Sequence, residues 1–167
     1  MARSLDYRAT SPHPADAVYA AMVDRGLLEE QLQHLGGPGA GVTAYEKTPD
    51  GVRYTLRHGI PSSELPSMVS SLVPGGDLKI DRTEQWTAAG PGRYDGTGTV
   101  TVIGTPASAR STMRVADVAG GGSEVVITAE VTVKVPLIGS RIEQAVAGQI
   151  KKLLAAETEF TLARVSS

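Results

Sequence analysis

The chain has 167 residues, 41% of them hydrophobic and 20% charged, with a formal net charge of −2, which predicts a single globular domain over residues 1–167. The mixed charges and an aromatic content of only 4% exclude a basic stripe or a base-stacking surface for nucleic acid. The absence of cysteine excludes disulfides, thiolate metal sites and cysteine nucleophiles.

The sequence contains no apolar run long enough for a signal peptide or a membrane-spanning helix. We therefore expect a cytoplasmic protein without a membrane span. The three histidines, His13, His34 and His58, are widely separated and lack the spacing of metal ligands. No metal and no cofactor are predicted.

The chain begins with a predicted strand and two short helices. Residues 3–10 alternate between apolar and polar side chains, as a half-buried strand does. Ser11 and Pro12 are predicted to be the N-cap and the first residue of a short helix. A second short helix, with Leu28, Leu32 and Leu35 on one side, is predicted to end in the glycine-rich segment 36–39.

Six further strands are predicted between residues 41 and 135. Asp50-Gly51 predicts a hairpin turn in the first strand pair. Residues 61–76, with three prolines, predict an irregular connection. The last strand alternates cleanly, and such alternation gives one buried and one exposed face, typical of an antiparallel sheet. The six predicted strands are 41–48, 52–60, 77–88, 93–104, 107–118 and 123–135.

A long amphipathic helix is predicted over residues 136–164, roughly 40 Å in length. Its apolar positions recur at helical spacing on one face: Ile138, Ile142, Val146, Ile150, Leu153 and Phe160. Helices segregated from a run of strands indicate an α+β fold. We expect a curved antiparallel sheet of about seven strands whose concave face is covered by the long helix.

This element order resembles the START-like superfamily, also called SRPBCC or birch-pollen-allergen-like, which has the helix-grip fold. The strongest local similarity is the strand-to-helix junction VTVKVPLIGSRIEQAV at 131–146, and the chain looks most similar to an uncharacterised bacterial branch. The resemblance implies an apolar cavity between the sheet and the long helix. Members bind lipids, sterols, polyketides or plant hormones there, some catalyse cyclisation or hydration, and no cofactor is common to the group.

His58 shares a strand face with Tyr54 and Leu56, which predicts that it points to the interior. Arg82 and Glu84 have the same parity as Trp86, so an ideal strand would also turn them inward. A β-bulge that places both in solvent is the favoured interpretation. If they face inward instead, they must be paired, and Glu84 with His58 becomes a candidate acid–base pair. A hydrogen-bonded structural histidine at a strand end is, however, the favoured interpretation of His58.

Two polar residues interrupt the apolar face of the long helix. Gln149 falls at the centre of that face and is predicted to find a partner in the sheet or in a cavity. Glu157 is predicted to extend its carboxylate to the rim. The predicted ligand cavity is formed by Tyr7, Tyr54, Leu56, His58, Glu84, Trp86, Met113, Gln149 and Leu153.

Three hypotheses for function follow. The first is binding of a small hydrophobic or amphipathic ligand, lipid-like or polyketide-like, in the cavity. The second is an enzyme of the cyclase, aromatase or hydratase type that uses the same cavity, with His58 and Glu84 as its catalytic residues. The third is a filled interior and a role in protein interaction or homodimerisation. The expected state is a monomer or a homodimer, and neither nucleic acid nor a membrane is an expected partner.

Overall fold

The computed structural model describes residues 2–64, 67, 77–137 and 139–165. Within these residues, seven strands form one sheet: β1 Ala2–Ser11, β2 Gly41–Thr48, β3 Gly51–Ile60, β4 Leu78–Ala88, β5 Arg93–Val102, β6 Ala107–Asp117 and β7 Ser123–Val133. The order across the sheet is β1-β7-β6-β5-β4-β3-β2, and every neighbouring pair is antiparallel.

Three α-helices lie in the described part of the chain: α1 Ala15–Met22, α2 Arg25–Leu35 and α3 Gly139–Leu162. The predicted α+β fold, a curved antiparallel sheet with a long C-terminal helix, is confirmed. A short 3-10 helix, Ser62–Glu64, follows β3. Most of the irregular connection predicted at 61–76 lies outside the described residues.

The start of α1 differs from the prediction, because Ser11 is the last residue of β1 and not a helix cap. Its backbone is in register with Ser123 of β7, and the helix begins only after Pro14. The cap comes from a distant element: the Asp117 carboxylate, at the end of β6, accepts the Ala15 N–H at 2.8 Å. A carboxylate there satisfies one of the free amides of the first helical turn.

The start of α3 also lies later than the predicted residue 136. Pro136 and Leu137 form a turn, and the Gly139 N–H donates to the Val135 carbonyl at 3.0 Å. Glu143, in the first turns of α3, accepts the backbone N–H of Val133 at 2.9 Å. This contact joins the end of β7 to the helix. Ile138, predicted to be the first apolar residue of the helix face, lies outside the described residues.

α3 packs against β1 and β7 and reaches α1 and α2. The side that contacts them buries Ile142, Ala147 and Leu154. The predicted apolar residues Val146, Ile150 and Leu153 are only half-buried. They face a cavity, since all three belong to its lining. The helix therefore packs against the β1 and β7 end of the curved sheet, and its half-buried apolar residues face the cavity beside that end.

Trp86 of β4 is fully buried and lies against the backbone of Gly96 on β5. A Cβ atom at Gly96 would lie 2.8 Å from two atoms of the indole ring, closer than van der Waals contact allows. Tyr19 of α1 packs edge-on against the same ring, with centroids 5.9 Å apart. Glycine at position 96 thus makes room for the tryptophan inside the curved sheet.

Candidate functional site

A cavity of about 500 Å³ lies between the concave face of the sheet and α3. Most of its wall consists of aliphatic side chains from the strands and the helix. The apolar residues of the wall include Leu78, Ile80, Val100, Val102, Ala109, Met113, Ile127, Ala129, Ile142, Val146, Ile150 and Leu153. A surface of this kind favours an apolar occupant.

The β3 and β4 side of the cavity carries the polar side chains His58, Arg82 and Glu84. The strand β4 pairs residue by residue with both β3 and β5, without a register shift. The predicted bulge is therefore wrong, and Arg82 and Glu84 keep the inward parity of Trp86. Their charges are tolerated there because each finds ionic partners within the fold.

Glu84 is the centre of a buried hydrogen-bond network. One carboxylate oxygen accepts from the Tyr54 hydroxyl at 2.8 Å and from the Trp86 indole N–H at 3.2 Å. The other accepts from the Arg82 guanidinium. Burial by itself raises the pKa of Glu84, but Arg82 and the hydrogen-bond donors outweigh it, and the pKa lies below its ordinary value. The carboxylate is ionised at neutral pH.

Glu157 of α3 binds the same arginine from the other side. Its two oxygens lie 2.8 and 2.9 Å from Nη1 of Arg82, and only 8% of its side chain is exposed. The predicted rim position is therefore wrong, because Arg82 gives this carboxylate a partner inside. Burial raises the pKa of Glu157 above its ordinary value, and repulsion from Glu84 raises this pKa further. The charge of Arg82 lowers the pKa but does not offset these two effects.

His58 lies on the inner face of β3 and is only 3% exposed. Neither of its ring nitrogens has a hydrogen-bond partner among the described residues. Burial, assisted by the charge of Arg82, lowers the pKa of His58 to about 3. The ring is therefore neutral at physiological pH, and both of its nitrogens are buried away from the open space of the cavity. The favoured prediction of a hydrogen-bonded structural histidine does not fit this arrangement, because neither ring nitrogen has a partner among the described residues.

The C-terminal end of α2 closes the cavity beside His58. The Gly59 N–H donates to the Gly36 carbonyl at 2.7 Å, which fixes the end of the helix against β3. The backbones approach so closely that a Cβ at Gly37 would lie 1.8 Å from the Gly59 carbonyl oxygen. Gly37 also has a φ of 78°, a conformation that favours glycine.

The cavity opens to the surface beside α3. Its lining includes the exposed residues Gln149, Lys152 and Glu64. Gln149 was predicted to lie at the centre of a buried helix face, and this is wrong: it is exposed, and the buried polar residues of α3 are Glu143, Glu157 and Thr161. The amide of Gln149 is solvated at the opening and does not depend on a buried partner.

The structure places the predicted site residues in three groups. His58, Glu84, Met113, Gln149 and Leu153 line the large cavity. Tyr54 lines a second cavity of about 50 Å³ together with Glu157. Leu56 and Trp86 belong to the packed core, the half-buried Tyr7 packs against it, and none of the three is among the residues that line either cavity.

Arg82 and Glu157 were missing from the predicted site. Arg82 could have been assigned to the interior from its shared strand parity with Trp86. Glu157 could have been assigned to it from its position on the apolar stripe of the helix. Both signals become decisive only once the two side chains are known to meet. Burying a charge without a partner is unfavourable, so neither side chain was predicted to be buried on its own.

Two features are absent from the part of the chain that the structure describes. No group of three or more histidine, aspartate or glutamate side chains there is arranged to hold a metal ion. Within the same residues, no helix has both the length and the apolar character needed to cross a membrane.

A family model described as "Protein of unknown function (DUF2505)" matches residues 6–165. Uncharacterized proteins of Mycobacterium tuberculosis and Mycobacterium bovis are 26% identical to the chain over 103 residues. This match covers 61% of the chain and 59% of each relative. The chain thus spans about three fifths of the length of the curated relatives it matches.

Solved structures share the arrangement of strands and helices. The protein TTHA0849 of Thermus thermophilus has a TM-score of 0.59 at 18% identity, over 98% of this chain and all of that one. The protein CV1439 of Chromobacterium violaceum has a TM-score of 0.59 at 16% identity, over 98% and 97% of the two chains. Ara h 8.0201 has a TM-score of 0.55 at 14% identity, over 98% and 100%. At such identities the likeness shows the fold alone.

Proposed function

The chain belongs to the DUF2505 family of proteins of unknown function, and we propose that it binds a small hydrophobic or amphipathic molecule, lipid-like or polyketide-like, between the sheet and α3. The observation that carries the proposal is the cavity of about 500 Å³ with an aliphatic wall. Its volume falls within the range of about 300–1,000 Å³ typical of small-molecule sites.

The amphipathic pattern of α3 supports this proposal. Val146, Ile150 and Leu153 have the spacing of core residues, but they are half-buried and face the cavity. A ligand that covers them removes apolar surface from water, which contributes roughly 25 cal/mol for each Å². The apolar stripe of the helix is then one wall of a binding site. The cavity also favours this proposal over the alternative hypothesis of a filled interior.

We also propose that the family lies within the START-like superfamily. The support is the shared order of elements, one strand, two short helices, six strands and a long helix, together with the likeness in fold to Ara h 8.0201. Hydrophobic-ligand binding in a cavity under the long helix is the property that this placement implies.

The alternative, a cyclase, aromatase or hydratase with His58 and Glu84 as an acid–base pair, receives less support. The Glu84 carboxylate already accepts hydrogen bonds from Tyr54, Trp86 and Arg82. Its pKa is lowered and that of His58 falls to about 3, so neither group exchanges a proton readily near neutral pH.

The proposal is tested by native mass spectrometry of the protein purified from cells, together with titration by the neutral fluorescent probe N-phenylnaphthylamine. A co-purifying small-molecule mass, or saturable probe binding with a stoichiometry of one, is the expected result. A clean mass of the polypeptide combined with no probe binding would overturn the proposal.

A matched pair of variants locates the binding. Ala109 lines the cavity and is buried, whereas Ala88 lies exposed at the end of β4. Ala109→Phe fills part of the cavity and is expected to weaken probe binding by about tenfold or more, a change of roughly 1.4 kcal/mol. Ala88→Phe adds the same ring outside and leaves binding unchanged. Equal effects of the two variants would place the probe elsewhere.

A further inference from the structure

Leu137, in the turn between β7 and α3, combines full exposure with an unusual backbone conformation. Its φ of 71° is the only positive φ of a non-glycine residue in the described part of the chain. Such a backbone favours glycine, and an apolar side chain in water contributes nothing to the core. The stability of the fold therefore gives no reason for a leucine at this position.

Ile103, in the turn between β5 and β6, is a second exposed apolar residue at the same end of the sheet. Two backbone hydrogen bonds join the segments of this end. The Lys134 N–H donates to the Pro106 carbonyl at 3.0 Å, and the Ile103 N–H donates to the Lys79 carbonyl at 2.9 Å. We call the exposed surface formed by residues 103–106 and 134–137 the tip surface.

The large cavity reaches the tip surface. Thr105 and Pro106 belong to the lining of the cavity, as does Val133 at the end of β7. The exposed apolar side chains of Ile103 and Leu137 therefore lie on segments that form, or directly adjoin, one end of the cavity.

Positive charges predominate on the exposed surface at this end. Among the described residues, the exposed cations that begin or adjoin the local strands and α3 are Arg3, Lys79, Lys134 and Arg141, and the exposed carboxylates are Glu64 and Asp77. The nearby Glu143 is buried and accepts a backbone N–H. Residues 65–76 have no charged side chain in the sequence. The exposed charges thus have a positive surplus, although the whole chain has a net charge of −2.

The other charged residues near the cavity do not remove this surplus. Arg110, which lines the cavity, lies directly opposite Glu130 in the register of β6 and β7. Lys152, also in the lining, lies further along α3 and adds a positive charge. Arg82 is bound by two buried carboxylates, so this cluster lies inside the fold and not on the tip surface.

This combination fits a membrane surface better than a protein partner. Apolar side chains on turns can enter the head-group boundary of a bilayer while lysine and arginine beside them meet anionic lipids. Interfaces between proteins are depleted of lysine and usually bury about 800 Å² on each partner. The tip surface instead has two apolar side chains, Ile103 and Leu137, among exposed cations.

We propose that the tip surface is a peripheral docking site for membranes that contain anionic lipids, with Leu137 and Ile103 inserted between the head groups. The contact needs no membrane-spanning helix. It was not expected from the sequence, because Ile103 and Leu137 come together only in the fold. The inference goes beyond the proposed function, since binding to a membrane does not require that the cavity take a ligand.

Flotation of the full chain with phosphatidylcholine vesicles, prepared with and without phosphatidylglycerol, tests the inference. We expect the anionic vesicles to bind about tenfold or more tightly than the neutral ones, and added salt to weaken this binding. No binding to the anionic vesicles, or equal binding to both kinds, would overturn the inference. The titration with N-phenylnaphthylamine is a separate measurement, so failure here leaves the proposed function standing.

Variants at the apolar positions locate the contact. Leu137→Gly removes the side chain and suits the positive φ, so we expect anionic vesicles to bind about fivefold or more weakly, without a loss of thermal stability. Ile103→Ser is expected to weaken binding in the same way. Val118→Ser is the control, because Val118 lies exposed in the turn between β6 and β7, at the other end of the sheet. Equal effects of Leu137→Gly and Val118→Ser would overturn the inference.

A matched pair of charge variants separates local from overall electrostatics. Lys134→Glu and Lys47→Glu change the net charge equally, but Lys47 lies exposed near the end of β2, away from the tip surface. We expect only Lys134→Glu to weaken binding to anionic vesicles, by about threefold or more. Equal weakening by both would overturn the inference. A dimer found by analytical ultracentrifugation and lost in Leu137→Gly would assign the tip surface to a second copy of the chain and would also overturn it.

Discussion

Arg82 on β4 and Glu157 on α3 form a buried ion pair in which one guanidinium nitrogen, Nη1, lies 2.8 and 2.9 Å from the two carboxylate oxygens. The pair joins the long helix to the middle of the sheet. Arg82 and Glu84 belong to the lining of both cavities, so this cluster lies between the large cavity and the small one.

Arg82→Met is expected to destabilise the protein strongly. It leaves two carboxylates buried without a cation, a change that typically costs about 3–5 kcal/mol. The measurement is the free energy of unfolding from urea denaturation at neutral pH. Arg57→Met is the control, because the Arg57–Asp81 pair lies partly exposed on the other face of the sheet and is screened by water. Similar losses in the two variants would contradict the assigned role of Arg82.

The two glutamates that bind Arg82 are expected to differ. Glu84→Gln loses a carboxylate that accepts hydrogen bonds from three side chains and is expected to cost about 2–4 kcal/mol. Glu157→Gln removes the surplus negative charge and is expected to stay within about 1 kcal/mol of the wild type. Chemical denaturation of both variants at neutral pH measures the difference. The reverse order would show that Glu157 is the essential partner.

The burial of neutral His58 is expected to make the protein less stable in acid. The unfolded chain binds a proton near the ordinary pKa of 6.5, whereas the folded protein does so only near a pKa of about 3. Between these values the unfolded state holds more protons, so the stability present above pH 6.5 is lost as the pH falls. The free energy of unfolding changes through this group by at most about 1.4 kcal/mol for each pH unit.

Unfolding experiments on the wild type and His58→Leu across this range test the prediction. The stability of the wild type is expected to fall relative to that of the variant as the solution is acidified. His58→Gln, which also lacks a titrating ring, serves as the control and should follow His58→Leu. Parallel pH curves for the wild type and both variants would rule out a neutral buried histidine.

Glu157 is expected to make the stability depend on pH in the direction opposite to that of His58. Its pKa is raised above the ordinary value of 4.5, so its contribution is fully present below pH 4.5 and is lost as the pH rises through the folded-state pKa. The wild type should therefore lose stability relative to Glu157→Gln as the pH increases. The lowered pKa of Glu84 acts in the other direction, because its contribution is lost as the pH falls. A difference between wild type and Glu157→Gln that does not change with pH would contradict this prediction.

Gly96→Ala is expected to displace the Trp86 ring. The added Cβ would lie 2.8 Å from ring atoms, and overpacking of this kind costs about 1–3 kcal/mol. Trp86 is the only tryptophan of the chain, so its fluorescence reports the change directly. Gly41→Ala is the control, since within the described residues no heavy atom beyond its chain neighbours lies within 4 Å of a Cβ at that position. An unchanged emission spectrum in Gly96→Ala would contradict the packing described above.

Local patterns were sufficient to predict most of the fold. The alternation along 123–135 indicated the buried face of β7, and the Asp50-Gly51 dipeptide indicated the turn between β2 and β3. The inward direction of His58 followed from its parity with Tyr54 and Leu56. These features depend only on the two-residue repeat of a strand and on turn chemistry, which the sequence by itself determines.

Contacts between distant segments decided the rest. The cap of α1 comes from Asp117, more than a hundred residues after Ala15, and no local pattern in the sequence predicts it. Gln149 and Glu157 both interrupt the same helix stripe, yet the glutamate is buried and the glutamine is exposed. The physical reason is that a buried carboxylate needs a partner, a cation or a hydrogen-bond donor, and Arg82 of β4 reaches Glu157 only in the folded protein.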